Sequence, residues 1–163
     1  MKAYKIFEFL RRDEIKARHK IEIFVSKIKG LARVQRKFAI AIAWNVVKKN
    51  STKEITNLLK LIEKKYKKNN WQSFQKDDEF YKAKDKAYTS VNSVEKRYIF
   101  DIVTETTESA AHKAALCTSH TASYAYKFEG TINERPLVID KNYKELVKTA
   151  IKVLEEEKIR EEK

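Results

Sequence analysis

Acidic residues and a histidine recur at helical spacing between residues 101 and 112. Asp101, Glu105, Glu108 and His112 fall within about 60° of one another on a wheel that turns ~100° per residue. Paired helices use such carboxylates and imidazoles to bind two divalent metals. A two-metal site also needs a matching helix, and the sequence contains no second set of this kind. We therefore predict no metal or other cofactor, and keep Glu105, Glu108 and His112 only as candidate ligands.

The single cysteine, Cys117, lies between His112 and His120. Zinc ligands must converge, whereas the two histidines are two helical turns apart and Cys117 lies on another side of the same helix. A cysteine–histidine catalytic pair is the alternative. Cys117 belongs to a stripe of small residues, where a thiol acts as a small hydrophobic group, so we predict a structural role for it.

Arg12 and His19 are separated by six residues, and Asp13 follows the arginine. This spacing resembles the R-x4-6-H signature of HEPN-type RNases, which are small helical bundles. In that family the arginine and the histidine come from two protomers of a dimer and act on RNA. The resemblance implies a metal-independent RNase with Arg12 and His19 as catalytic residues. It covers eight residues and departs from the family by lying on the first predicted helix, since the motif usually sits late in the bundle.

Basic side chains form two stripes on the predicted helices, and such stripes can follow a phosphate backbone. Aromatic residues near them could stack on unpaired bases; these are Tyr4, Phe9, Trp71 and Phe74. Lysines outnumber arginines by 28 to 8, which favours backbone contacts, because base readout prefers arginine. The predicted nucleic-acid or acidic-partner contacts are Lys5, Arg12, Lys16, Lys20 and Lys27 in the first stripe, and Lys53, Lys60, Lys64 and Lys67 in the second.

Positive charge is concentrated in the first part of the chain. Residues 1–97 hold 26 lysines and arginines against 11 aspartates and glutamates, whereas residues 98–163 hold 10 against 12. This asymmetry indicates a polyanionic or acidic partner for one side of the molecule. The alternative is a lysine-rich surface that only solubilises the protein.

The composition predicts an all-α fold. The 163 residues include only two glycines and one proline, too few for the tight turns of sheet-rich folds. Hydrophobic residues make up 42% of the chain, which is enough for one core. We predict a compact, single-domain bundle of five to six helices spanning 1–163, with an acidic C-terminal tail, about 155–163, that frays.

Periodicity and capping residues place the helices. The first is predicted over 2–29, the second over 31–49 in the middle of the bundle, and the third to residue 68 with Ser51 and Glu54 as its capping box. Asp77 caps a fourth helix over 78–91, and Ser93 caps a fifth over 94–129. Trp71 and Phe74 are expected to close one end of the bundle. The segment 131–139, which holds Pro136, is predicted to be a loop, with Asp140 as the cap of the last helix.

Several classes of protein are excluded. Phosphate-binding glycine loops, a nucleophile elbow and paired zinc-binding cysteines are all missing from the sequence. A single cysteine, no signal peptide, and a longest apolar run of ten residues predict a protein of the cytoplasm, or of the host cytoplasm if it is viral. No membrane association is expected, and the oligomeric state stays open.

Three functions remain. The first is a non-enzymatic binding protein whose basic N-terminal surface contacts nucleic acid or a nucleoprotein complex. The second is an inhibitor or immunity-type protein, encoded by a phage or mobile element, that blocks a host nuclease or defence complex. The third is the HEPN-like RNase.

Overall fold

The protein is all-α. A computed structural model describes residues 3–107 and 135–162, and every regular element in these two ranges is a helix. The seven helices described there are α1 (Ala3–Leu10), α2 (Ala17–Lys27), α3 (Ala32–Lys49), α4 (Lys53–Lys68), α5 (Asp78–Thr89), α6 (Val94–Glu105) and α7 (Arg135–Glu162). None of these helices is long and apolar enough to cross a membrane.

The first predicted helix is in fact two helices, α1 and α2. Between Leu10 and Ala17 the predicted apolar face carries only Asp13 and Glu14, and a continuous helix would bury both carboxylates. The chain turns after Leu10 instead, and both carboxylates are exposed in the turn. The cost of burying an unpaired charge explains why the helix ends here.

Helix α3 lies in the middle of the bundle, as the sequence predicted. It packs against α7, α4 and α6, and its apolar residues are buried on several sides, with Phe38, Ile42 and Ala43 fully enclosed. The Phe38 ring meets the Phe24 ring of α2 edge to face, with 4.8 Å between centroids. Helix α7 extends the core along its predicted stripe, and α5 packs mainly on α4.

The caps of α5 and α6 are confirmed, and the cap of α4 is displaced by one residue. Asp77 Oδ1 accepts the N–H of Phe80 at 3.0 Å, and Ser93 Oγ accepts the N–H of Lys96 at 3.2 Å. Helix α4 is capped by Thr52, not Ser51, through a bond from Ile55 N to Thr52 Oγ1 at 3.1 Å. The Thr52 and Ser90 hydroxyls are joined by a hydrogen bond of 2.7 Å, which holds Thr52 in place. The sequence of α4 alone does not reveal this contact, because Ser90 lies at the end of α5.

The prediction of a loop over 131–139 is wrong from Arg135 onward, because α7 begins there and Asp140 lies inside it. Pro136 falls in the first turn, where its missing N–H has no intrahelical partner to lose. The segment that was expected to fray, about 155–163, is helical through Glu162. The predicted small-residue part of the fifth helix, with Cys117 and His120, lies outside the described residues.

Candidate nucleic-acid interface

Helices α3, α4 and α7 enclose a groove of about 380 Å³ that contains both tryptophans of the chain. Its floor is apolar, formed by Ile40 and Ala41 of α3 and Val153 of α7. Lysine side chains of all three helices line the groove around that floor, together with two carboxylates, Glu63 and Glu156. We call this site the two-tryptophan groove, and its defining residues are Trp44, Trp71, Lys37, Lys48, Lys67 and Lys152.

Helix α3 supplies one side of the groove through its own periodicity. Lys37, Ala41, Trp44 and Lys48 follow one another at three- and four-residue spacing, which places them on one face. Trp44 is half-buried and packs against the core. Its indole therefore has a firm support while part of its surface borders the groove.

Trp71 reaches the groove from a strained connector between α4 and α5. Asn70 and Trp71 have positive φ angles of 52° and 62°, a conformation that costs a non-glycine residue about 1–3 kcal/mol. Trp71 N–H donates to the carbonyl of Tyr66 at 2.7 Å, and Arg36 of α3 donates to the carbonyl of Trp71 at 3.0 Å. These bonds hold the strained turn in place, and they fix the Trp71 indole at the edge of the groove.

The faces of the Trp71 indole are already occupied. Its ring stacks on Tyr66 at 6.0 Å with an 8° angle between planes, and Lys37 Nζ lies 5.4 Å from its centroid. Phe74 meets the Tyr66 ring edge to face at 4.9 Å. Trp71 is buried and Phe74 is partly buried, and both pack against the core. That they close one end of the bundle stays a prediction. The contacts with Tyr66 and Lys37 cover the faces on which Trp71 was expected to stack a base.

The Lys37 side chain is neutralised by Glu157 of α7. Glu157 is 5% exposed as a residue. Its carboxylate lies 2.9 Å from Lys37 Nζ, and Arg33 Nε donates to its two oxygens at 3.0 and 3.1 Å. Burial raises the pKa of Glu157, but the hydrogen bonds from Lys37 and Arg33 outweigh burial and hold that pKa below its usual value. Arg160 adds a fourth contact at 3.2 Å. This cluster joins α7 to α3 beside the groove.

Two other lysines of the groove carry unbalanced charge. Lys48 and Lys152 are exposed, and neither has a carboxylate oxygen within 4.0 Å among the residues that the structure describes. Lys67 lies 3.8 Å from Glu63, with 62% of its side chain exposed. Lys60 and Lys64 are exposed and continue the Lys67 face toward the start of α4.

The two predicted basic stripes occupy separate parts of the bundle. Helix α2 packs mainly on α7, whereas α4 packs mainly on α5. Lys20 is 8% exposed, so its predicted place on a solvated stripe is wrong, because α2 turns this side toward α7 and the preceding turn. The stripe residues that are exposed as predicted are Lys5, Arg12, Lys16 and Lys27 in the first stripe, and Lys53, Lys60, Lys64 and Lys67 in the second.

The candidate catalytic and metal-binding residues are not brought into a described site. Arg12 lies in the turn after α1 and forms an ion pair with Glu14, and His19 is exposed on α2. Glu105 is half-buried at the end of α6, while Glu108 and His112 lie outside the described residues. Within residues 3–107 and 135–162 no three histidine, cysteine or acidic side chains cluster closely enough to hold a metal ion.

Sequence reasoning missed three residues of the groove, namely Trp44, Lys48 and Lys152. Because Trp44 sits in a nearly continuous apolar run, the sequence predicted it to be a core residue. Lys152 belongs to the part of the chain without excess positive charge. A signal for it exists in the four-residue spacing of Lys144, Lys148 and Lys152, which places all three on the polar side of α7.

No family model, no curated protein and no solved structure matches this chain.

Proposed function

We propose that the protein is a non-enzymatic binding protein that holds single-stranded nucleic acid at the two-tryptophan groove. The observation that carries the proposal is a half-buried tryptophan that shares the groove with unpaired lysines. Trp44 lines the groove together with Lys48 of its own helix and Lys152 of α7, and neither lysine is neutralised by a described carboxylate. Proteins that bind single strands combine an aromatic platform with a positively charged groove in this way.

Two kinds of contact are assigned to different residues. Trp44 supplies the stacking surface for an unpaired base, because the faces of Trp71 are covered by Tyr66 and Lys37. Lys48, Lys67 and Lys152 supply the charge for the phosphates, and Lys60 and Lys64 extend that charge along α4. Lysine acts as a point charge without the paired donors of arginine, so we expect little dependence on base sequence.

The test is a binding titration with short single-stranded and double-stranded oligonucleotides, followed by fluorescence anisotropy of a label and by the protein's own fluorescence. Both tryptophans line the groove, so a bound base should quench the protein signal. We expect single strands to bind more tightly than duplexes of equal length. The absence of binding even at low salt overturns the proposal and directs the search to a protein partner, as the inhibitor hypothesis requires.

Replacing Trp44 by alanine tests the stacking contact. We expect Trp44→Ala to weaken single-strand binding between about fivefold and a hundredfold, the usual value of one stacked base, and to leave duplex binding nearly unchanged. Trp44→Phe retains an aromatic face and should keep most of the affinity. Tyr81→Ala removes an aromatic residue that is 49% exposed on α5 and does not line the groove, so it serves as the matched control. Single-strand affinity that is equal in Trp44→Ala and wild type would exclude the groove as the base site.

A further inference from the structure

The two-tryptophan groove contains a hydrogen-bonded pair of uncharged polar side chains, Asn45 of α3 and Thr149 of α7. Asn45 Nδ2 donates to Thr149 Oγ1 at 2.8 Å. Along α3, Asn45 directly follows Trp44 and lies one turn before Lys48. We propose that Asn45 recognises the edge of the base that stacks on Trp44, and that it selects bases with an exocyclic amino group, namely adenine and cytosine. This inference rests on the proposed function and names the bases that the groove prefers.

The orientation of the Asn45 amide is fixed by its partner. Thr149 has one hydroxyl hydrogen, and it donates this hydrogen to the carbonyl oxygen of Glu145 at 2.9 Å. The Thr149 oxygen can therefore only accept from Asn45. It follows that the amide nitrogen of Asn45 faces Thr149, and that the amide oxygen faces away from it.

The pair lies on a rigid part of the groove. Along the described residues, side-chain pairs join α3 to α7 in antiparallel order, namely Arg33 with Glu157, Asn45 with Thr149, and Lys49 with Glu145. Thr149 is buried, and both members of the central pair lie within regular helices. Side chains on helices are held more precisely than side chains on loops, so Asn45 presents its oxygen in a constant direction.

The oxygen of Asn45 is open to a ligand. Among the residues that the structure describes, Asn45 Oδ1 accepts no hydrogen bond, and it is not one of the enclosed polar atoms that lack a partner. It is therefore accessible, on a residue that lines the groove. Consecutive side chains of a helix point about 100° apart. The Asn45 amide thus stands beside the Trp44 indole, where it can meet the edge of a base whose face lies on that ring.

An open amide oxygen discriminates between amino and keto bases. The exocyclic amino groups of adenine and cytosine can donate to it. Uracil, thymine and guanine carry a carbonyl oxygen at the corresponding ring position, and that oxygen would face Asn45 Oδ1 as acceptor against acceptor. Leaving a desolvated polar atom unpaired costs more than a hydrogen bond gains. The lysines contact phosphates, which every nucleotide has, so the preference is confined to the one base that stacks on Trp44.

The experiment measures the dissociation constants of oligo(dC) and oligo(dU) of equal length by fluorescence anisotropy, at a mildly alkaline pH at which cytosine runs do not pair with themselves. The two bases have rings of the same size and differ in the exocyclic group and the adjacent ring nitrogen. We expect oligo(dC) to bind roughly threefold to tenfold more tightly, the usual value of one hydrogen bond. Equal affinities, or tighter binding of oligo(dU), overturn the inference, and the proposed function stands if Trp44→Ala weakens both. If neither oligonucleotide binds, the proposed function falls and this inference falls with it.

Asn45→Ala assigns the preference to the amide. Alanine is a strong helix former, so we expect α3 to be retained. The variant should lose affinity for oligo(dC) and bind the two oligonucleotides equally. Asn57→Ala removes an exposed asparagine of α4 that does not line the groove, and it should keep the wild-type preference. A preference for oligo(dC) that is unchanged in Asn45→Ala would mean that another residue recognises the base, and the role of Asn45 would be overturned.

Thr149→Val tests whether the partner fixes the amide, and it serves as the second variant if Asn45→Ala does not fold. Valine has nearly the shape of threonine but neither donates nor accepts a hydrogen bond. Without the accepting hydroxyl, the Asn45 amide can turn and offer either its oxygen or its nitrogen to the base. We expect Thr149→Val to bind single strands while its preference for oligo(dC) falls towards none. A wild-type preference in Thr149→Val would overturn the positioning role of Thr149.

Discussion

Glu157 joins the last turns of α7 to the start of α3. Its carboxylate accepts from Arg33, Lys37 and Arg160, and only 7% of its side chain is exposed. Sequence reasoning placed this residue in an acidic tail that frays, because terminal segments usually fray unless they are held by the rest of the fold. The decisive partners lie on α3, more than a hundred positions earlier in the chain, and no local pattern reveals them.

Glu157→Gln should destabilise the fold and reduce its sensitivity to acid. The pKa of Glu157 is lowered in the folded state, so its stabilising contribution is present above the usual glutamate pKa of about 4.3 and is lost as the pH falls below it. Removing the Glu157 charge leaves Arg33 without a carboxylate and Lys37 with only the exposed Glu156, 3.9 Å away, which costs on the order of 3 kcal/mol near neutral pH. Urea unfolding at several pH values measures both effects.

Glu156→Gln is the matched control for this prediction. The Glu156 side chain is 54% exposed and lies 3.9 Å from Lys37, so its replacement should change the free energy of unfolding by less than about 1 kcal/mol. A Glu157→Gln variant that is as stable as the Glu156→Gln variant at every pH would refute the assigned role of Glu157.

At the scale of the element, α4 shows how a tertiary contact selects between two adjacent capping residues. Ser51 and Thr52 are equally suited to the N-cap by type. The Thr52 hydroxyl accepts from Ile55 N and also meets Ser90 Oγ at the end of α5. The Ser51 hydroxyl donates to the Thr52 carbonyl oxygen at 3.1 Å instead.

Thr52→Ala should therefore cost more stability than Ser51→Ala. Loss of the N-cap bond and of the Ser90 contact is expected to lower the free energy of unfolding by about 1–2 kcal/mol. Ser51→Ala should cost about half a kcal/mol or less, as for a surface substitution. Chemical unfolding of the two variants beside wild type makes the comparison. An equal or larger loss for Ser51→Ala would restore Ser51 as the effective cap.

At the scale of the whole molecule, the packing of α7 distributes positive charge differently from what the counts along the sequence indicated. The count by residue range placed the excess positive charge before residue 98. In the fold, α7 lies against α1, α2 and α3. It brings Lys152 to the two-tryptophan groove. The candidate nucleic-acid site thus combines lysines from distant parts of the chain.

Reversing the charge of Lys48 and Lys152 tests whether local or total charge governs nucleic-acid binding. Each phosphate contact to a single strand contributes about −0.7 to the slope of log affinity against log salt. The double variant Lys48→Glu/Lys152→Glu should therefore bind single strands more weakly and with a slope shallower by about 1.4. A salt series of anisotropy titrations measures the slope.

The control is a second double variant that changes the net charge of the protein by the same amount at two lysines outside the groove. Lys82 and Lys86 are exposed on α5 and do not line the groove. Lys82→Glu/Lys86→Glu should keep the wild-type slope and most of the affinity. Equal losses in the two double variants would mean that total charge, and not the groove, attracts the nucleic acid.

The sequence by itself determined the all-α class, the middle position of α3, the starts of α5 and α6, and the apolar stripe of α7. These features depend on helical periodicity and on caps within three residues, which are local properties of the chain. The tertiary structure alone decided that Lys20 and Glu157 are buried, that Thr52 caps α4, and that Trp44, Lys48 and Lys152 share one groove. Those outcomes depend on which helices pack together, because burial and charge compensation come from neighbours that are distant in sequence.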